Sequence, residues 1–181
     1  MTTTANDQRI EQDLVAVLLD AHARGREILD TALQMLRSAD AEDDVAARIA
    51  ANVHRFLTFT NLQHEMDEEQ LVFPALRANA LRASGPHDEV DAALTQVIDT
   101  HVLFDARRDE LAARWERVAR APACLRGERA ELLAATGKLA SALARHQRHE
   151  ELAIFPLVQK YVPAETQAKI LAVMSRREAR S

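Results

Sequence analysis

The sequence predicts an all-α fold, and its composition provides the first evidence. The chain of 181 residues contains only 4 glycines and 5 prolines, and aromatic residues make up 4% of it. β-Sandwiches and barrels need many turns and many aromatic or β-branched positions, so this composition disfavours them. Alanine, leucine, arginine and glutamate dominate, and these residues favour helices. A chain of this length is expected to form one domain, residues 1–181.

Apolar residues at helical spacing, interrupted by turn signals, predict four long helices and a short closing one. The turn signals are an acidic segment at 40–44, Ser84-Gly85-Pro86 and the segment 122–127. Pro74 is expected to kink or break the second helix, and Pro163 fits the first turn of the closing helix. The predicted helices span residues 9–38, 44–80, 88–119, 128–160 and 163–178.

Long helices with short connections favour an antiparallel up-down four-helix bundle. Each helix presents one apolar stripe, such as Val15, Leu18 and Leu29 on the first, which must be buried against its neighbours. We expect the bundle to occupy about residues 9–160, with the short C-terminal helix, about 163–178, as an accessory.

Charge and hydropathy limit the partners and the location of the protein. A net charge of −5 and a pI near 5.8 provide no broad basic surface, which excludes nucleic acid as an expected partner. The longest uncharged apolar run, residues 14–19, is far shorter than the ~20 residues of a membrane span. Cys124 is the single cysteine, and no secretory signal pattern is visible at the N-terminus. We therefore expect a cytoplasmic protein with no membrane partner.

An internal repeat relates the second and fourth helices. Residues 64–74 align without gaps with residues 146–156. A histidine, a glutamate four residues later, a second glutamate and a Phe-Pro pair occur at the same places in both segments. The repeat predicts a bundle made of two similar helical hairpins.

Four of the seven histidines fall on the apolar stripes, one on each long helix. Two residues on neighbouring antiparallel helices lie at the same level of the bundle when the connecting turn is midway between them in the sequence. For each pair of successive histidines, this midpoint falls in or beside a predicted turn. We therefore expect all four histidines to lie in one layer of the bundle. A glutamate follows the second and the fourth of these histidines by one helical turn. The candidate metal-binding residues are His22, His64, Glu68, His101, His146 and Glu150.

A buried layer of these six ionisable groups needs compensation, because an uncompensated buried carboxylate costs several kcal/mol. Neutral imidazoles and ionised carboxylates are suitable ligands for first-row transition metals. Six groups are too many for one ion but suit two, with two histidines on each ion and both carboxylates bridging. Manganese or zinc could use the same ligands, so the identity of the metal stays open at this point.

The remaining histidines, the acidic residues and the missing motifs give no support to other kinds of site. Three histidines lie off the apolar stripes or outside the layer of the other four, namely His54, His87 and His149. We expect them on the surface, in loops or beside the site. The acidic cluster of Glu65, Asp67 and Glu69 is expected to be solvated. The Glu-x-x-His pattern of ferritin-type sites, the His-Glu-x-x-His pattern of metalloproteases and a Gly-rich phosphate loop are all absent from the sequence.

The ordered set of His22, His64-x-x-x-Glu68 with Phe73-Pro74, His101, and His146-x-x-x-Glu150 with Phe155-Pro156 resembles the hemerythrin-like family, also called the HHE cation-binding domain. The resemblance covers about residues 14–160. It implies a non-haem centre of two iron ions with an oxo or hydroxo bridge. It further implies that His22 and His64 hold one iron, that His101 and His146 hold the other, and that Glu68 and Glu150 bridge them.

Two departures from the oxygen-carrying hemerythrins bear on function. The carriers have a further histidine four residues after the ligand of the third helix, and Asp105 stands there in this chain. Their last carboxylate follows its histidine by five residues, the position of Glu151 here. The pattern is closer to the bacterial branch that includes iron–sulfur repair proteins. Those proteins carry a cysteine-containing N-terminal domain, which we do not expect here because His22 already lies in the first bundle helix, and this disfavours repair activity.

These observations lead to three hypotheses about function. The first is a di-iron protein that binds or reacts with dioxygen, nitric oxide or peroxide in sensing or in an oxidative or nitrosative stress response. The second is iron handling, meaning storage, ferroxidation or iron–sulfur cluster repair. The third is a metal-free helical interaction module. Whether the protein is an enzyme and which oligomer it forms are left open by the sequence.

Overall fold

The structure is a computed structural model that describes residues 13–38, 41–85 and 88–179, apart from the side chains of residues 84, 105–107 and 178. Every regular element within these ranges is helical, which confirms the prediction of an all-α helical bundle. No helix among the described residues is both long and apolar enough to cross a membrane. The α-helices are α1 Leu14–Arg37, α2 Asp43–Arg55, α3 Asn61–Asp67, α4 Phe73–Ser84, α5 Asp88–Arg120, α6 Leu125–His149, α7 Phe155–Tyr161 and α8 Ala164–Glu178.

The predicted helices agree with these bounds, with differences at several ends. The second stretch continues to Ser84, four residues beyond the predicted end at 80. The fourth begins at Leu125, so Gly127 lies inside a helix, and the loop before it contains the 3-10 turn Pro122–Cys124. The expected start of the first helix at residue 9 lies outside the described residues. Pro163 is the N-cap of α8 rather than a member of its first turn.

Three wide π turns interrupt the second and fourth long helices. Two of them directly precede the prolines of the repeat, and Pro74 and Pro156 each stand in the first turn of the α-helix that follows. Proline has no N–H to donate and its ring collides with the carbonyl four residues earlier, so a wider turn removes the conflict without ending the helix. The expected kink or break at Pro74 is therefore a π turn. The three segments are Phe56–Thr60, Glu68–Val72 and Glu150–Ile154.

The first of two compact units consists of the described residues within Met1–Ala21, His64–Ile98 and His149–Ser181. Its core combines apolar side chains of all four long helical stretches with those of α8. Burial of each such side chain stabilises the unit by about 1.5–3 kcal/mol. Central members of this core are Leu18, Leu76, Leu94, Val158 and Ile170.

The second compact unit, His22–Gln63 and Asp99–Arg148, has its own four-helix core. Trp115 is completely buried there, and its indole N–H donates to the hydroxyl of Thr136 across 3.3 Å. Arg129 donates to the backbone carbonyls of Met35, Leu36 and Ser38 at the end of α1. Carbonyls at the end of a helix lack the usual N–H donor four residues later, so the guanidinium group serves as a cap, beside the Ser38 N–H that donates to Met35.

Candidate metal centre

The first repeat places a histidine and a glutamate on one turn of the second long helix. The Nε2 atom of His64 lies 3.3 Å from Oε1 of Glu68. The exposed fraction is 13% for the His64 side chain and 0% for that of Glu68. Since the helix also places Leu57 and Val72 in the interior, the apolar stripe carries both polar groups inward with it.

Glu68 also lies beside the glutamate of the second repeat. Both Glu68 and Glu150 are completely buried, and each is the first residue of a π turn. Burial raises the pKa of Glu68 well above its ordinary value, and the charge and hydrogen bond of Glu150 raise it further. Burial and the neighbouring carboxyl group therefore both favour the protonated form of Glu68.

The other two histidines meet in the second unit. The Nε2 atoms of His101 and His146 lie 3.0 Å apart, and their rings pack edge to face with centroids 4.7 Å apart. Two neighbouring ligands of an octahedral ion with metal–nitrogen distances of about 2.1 Å are separated by about 3.0 Å. The ring of Phe104 packs edge to face against His146, with the centroids 5.3 Å apart.

The six predicted residues form two groups in which candidate ligand atoms converge. One contains His22, His64 and Glu68, and the other contains His101, His146 and Glu150. Within each group, one ligand atom from every residue lies within 4.8 Å of the others. His22 is completely buried, and His101 and His146 are nearly so.

The chemistry of these groups fits a transition metal. Two imidazole nitrogens and a carboxylate in each group are the mixed nitrogen and oxygen donors that such ions prefer. A pair of cations would also remove the energetic problem posed by Glu68 and Glu150, because it allows both buried carboxylates to ionise. Without a cation, the same burial favours the protonated form of Glu68.

The expectation that the acidic cluster beside His64 is solvated is wrong for two of its three members. Glu65 and Asp67 are buried, and only Glu69 is exposed. The carboxylate of Asp67 accepts a hydrogen bond from Arg177, which lies far away in the sequence. A local run of charges gives no indication of a partner 110 residues later.

Other predicted positions lie around the two groups or outside the described residues. His54 uses its Nδ1 atom to bond the backbone carbonyl of Ala112 at 3.1 Å. His149 and Glu151 are half-buried beside Glu150. The backbone of Asp105 is helical, but its side chain lies outside the described residues, as does the whole of His87.

Two supporting residues near His22 were not anticipated from the sequence. A Cβ atom at Gly25 would lie 2.9 Å from the ring of Phe56, so only glycine allows this ring to pack against α1. Arg26 donates to the side-chain oxygen of the buried Gln147 at 3.0 Å. Gln147 follows His146 directly, which ties the helix that carries His146 to α1.

Comparison with known proteins agrees with this arrangement. Residues 13–158 match the family model of the hemerythrin HHE cation-binding domain. The chain belongs to the hemerythrin family. As a hemerythrin-like domain it is a metal-binding protein, and its two His/Glu groups are the candidate positions for the cations. No curated protein and no solved structure gave a significant match.

Proposed function

We propose that this protein is a non-haem di-iron protein that binds or reacts with a small ligand, namely dioxygen, nitric oxide or peroxide. The observation that carries the proposal is the presence of two buried His/His/Glu groups in a hemerythrin-like chain. His22, His64 and Glu68 would hold one iron, and His101, His146 and Glu150 the other. The contact between Glu68 and Glu150 supports a bridging role for both carboxylates.

The protein residues and the iron would divide the chemistry between them. Iron supplies a change of oxidation state and a coordination position for the ligand. The four imidazoles supply neutral donors, and Glu68 and Glu150 supply the negative charge that balances the cations. The apolar residues of the helical cores exclude bulk water from these groups, which strengthens the electrostatic interactions among them.

Two cavities lined by Phe104, the ring that packs against His146, support a ligand of very small size. An inner cavity of about 10 Å³ is large enough for one water-sized molecule. An open groove of about 590 Å³ lies on the same unit, and Phe104 and Leu139 line both spaces. Since Phe104 also contacts His146, a ligand that enters from the groove would pass this ring.

The inner cavity combines apolar walls with polar groups at one side. Its lining consists of Phe56, Leu57, Asn61, Phe104, Arg108, Leu139 and Leu143. Arg108 and Asn61 are both buried. The inner cavity suits a very small ligand, whereas an organic substrate would need hundreds of cubic ångströms, which the open groove offers and the inner cavity does not. We therefore favour sensing or an oxidative or nitrosative stress response over the conversion of a larger substrate, and we propose a cytoplasmic location.

Metal analysis of freshly purified protein, combined with its absorption spectrum, tests the proposal. We expect about two iron ions per chain and the absorption bands of a bridged ferric pair. Rapid mixing of the reduced protein with dioxygen, nitric oxide and peroxide should then give saturable ligand binding or fast oxidation. Uptake of many iron ions per chain would instead indicate iron storage, and transfer of iron to an apo iron–sulfur protein would indicate cluster repair. A protein without bound metal would be a helical interaction module.

A further inference from the structure

Arg177, near the end of the C-terminal helix α8, contacts the segment that carries Glu68. Its Nη1 atom donates to Oδ1 of Asp67 at 2.6 Å, and its Nη2 atom donates to Oε1 of Gln70 at 3.1 Å. The exposed fraction of the Asp67 side chain is only 5%, and that of Arg177 is 31%. A hydrogen bond between two charged groups that are shielded from water is one of the stronger kinds in proteins.

The two acceptors of Arg177 lie on either side of Glu68 in the sequence. Asp67 is the last residue of α3, and Gln70 lies within the π turn Glu68–Val72. The guanidinium group therefore spans the beginning of the wide turn from which the Glu68 side chain projects. A π turn is energetically less favourable than a regular helical turn. The planar guanidinium group, bonded to residues on both sides of Glu68, therefore stabilises one conformation of this backbone.

The second repeat lacks this tether. The positions equivalent to Asp67 and Gln70 are occupied by His149 and Leu152. Leu152 has no hydrogen-bonding side chain and is 66% exposed. The buried Nε2 atom of His149 has no hydrogen-bond partner among the described residues. The two repeat segments therefore contain the same proposed metal ligands, but only the first one is held in place by a contact with Arg177.

We propose that Arg177 is a positioning residue that holds Glu68 in its metal-binding orientation, so that α8 controls the affinity of the group formed by His22, His64 and Glu68. This inference rests on the proposed function, because it concerns the strength with which one of the two iron ions is held. Because Glu68 would also bridge to the second ion, the group formed by His101, His146 and Glu150 should be weakened too, but less, since Arg177 does not hold its other ligands. The two ions are consequently unequal, although their ligands come from a repeat.

The test compares Arg177→Gln with Arg176→Gln, a matched control at the exposed neighbouring residue of the same helix. Each full-length variant is loaded with ferrous iron without oxygen and titrated with a chelator well below its melting temperature. We expect Arg177→Gln to release both ions at lower chelator concentration than the parent protein, with the larger shift, about 10- to 100-fold, for one of the two. Arg176→Gln should behave as the parent does. Equal release curves for all three proteins would overturn the inference.

A double-mutant cycle with Asp67→Asn distinguishes positioning from a general loss of stability. If Arg177 acts through Asp67, the two substitutions together should weaken the ion little more than either one alone. Arg177→Lys keeps the charge but not the fork, so it should restore only part of the affinity. Asp67→Asn and Arg177→Lys also keep the test decisive if Arg177→Gln does not fold. If the losses of metal affinity caused by the Arg177 and Asp67 substitutions simply add, Arg177 does not act through Asp67.

Amide hydrogen exchange of the metal-free protein provides a readout that does not depend on iron. In Arg177→Gln, exchange should become faster in residues 68–72 and stay unchanged in residues 150–154. A uniform acceleration in all helices would show a purely structural role and overturn the inference. A parent protein that binds no metal would overturn the proposed function together with this inference. A parent with two ions and an unaltered Arg177→Gln variant would overturn only the inference.

Discussion

The carboxyl group of Glu68 lies against that of Glu150 in the interior, and both side chains are completely shielded from solvent. Burial and the neighbouring carboxyl group together favour the protonated form of Glu68 in the metal-free protein. Metal binding favours the ionised form instead. This one contact therefore links the stability of the apo protein, its pH dependence and its affinity for cations.

The free energy of unfolding of the apo protein is expected to decrease as the pH rises above about 4.5. The pKa of Glu68 is raised in the folded state, so its contribution is fully present below the pKa of the unfolded chain and is lost as the pH rises through the folded value. Glu68→Gln removes the ionisation and should raise the apo melting temperature at pH 8 by roughly 2–4 °C or more. Thermal unfolding between pH 5 and 8 checks this. Equal slopes for the parent and Glu68→Gln would contradict it.

Replacement of Glu68 by alanine is expected to lower the occupancy of both metal positions. A bridging ligand serves both ions, so its removal weakens the site as a whole. Metal content per chain after gel filtration measures the effect. Glu69→Ala, at the exposed neighbouring residue, is the matched control and should retain about two ions. Loss of a single ion in Glu68→Ala would show that Glu68 does not bridge.

Removal of iron should lower the melting temperature, because the proposed ligands come from four separate helices that the ions hold together. Amide exchange should become faster around His22, His64, His101 and His146. Exchange near Trp115, which is packed against Thr136 in the second unit, should change least. Identical melting and exchange with and without metal would count against the proposed ligand set.

Phe104 is expected to control how fast ligands reach the group that contains His146. Phe104 lines both the groove and the inner cavity, so Phe104→Ala should open the space between them and Phe104→Trp should obstruct it. Stopped-flow binding of azide to the ferric protein should be accelerated by the first change and slowed by the second, with unchanged metal content. Phe155→Trp changes a buried phenylalanine that lines neither cavity and serves as the control. Equal azide rates in all variants would exclude passage beside Phe104.

Asp105 is expected to favour oxidation of the iron over reversible oxygen carriage. The oxygen carriers have histidine at this position, and a carboxylate near an iron favours the ferric state. The reduced protein should therefore oxidise rapidly in air, and Asp105→His should oxidise more slowly. Stopped-flow spectroscopy after mixing with oxygen decides between these behaviours. Stable and reversible oxygen binding by the unmodified protein would return it to the carrier class.

Helical periodicity was sufficient to predict the elements and much of the core. Val15, Leu18 and Leu29 were placed on an inward stripe, and all three are buried. The histidines could be found because polar residues on an otherwise apolar stripe conflict with the local pattern. Such a conflict is visible within one helix and needs no knowledge of the partner helices.

Features that depend on distant partners or on exact backbone geometry were not predictable in this way. Asp67 looked solvated because its neighbours in sequence are charged, whereas its partner Arg177 belongs to another helix. Gly25 lies within the predicted first helix, and helical periodicity does not predict that the ring of Phe56 packs against it. The Phe-Pro pairs predict an irregular helix. A kink, a break and a π turn each relieve the clash of the proline ring and its missing N–H, so the sequence cannot distinguish among them.

The π turn before Pro74 has a consequence for any attempt to make this helix regular. A π turn contains about one residue more than an α turn, so it rotates the following side chains by about 100° around the helix axis. Leu76 and Ala80 follow this turn and are buried, so a loss of the rotation should displace them from the core. A substitution such as Pro74→Ala would improve local helix propensity and yet allow the downstream face to turn toward solvent. The proline thus sets the phase of the helix beyond Glu68, and consensus stabilisation should leave it untouched.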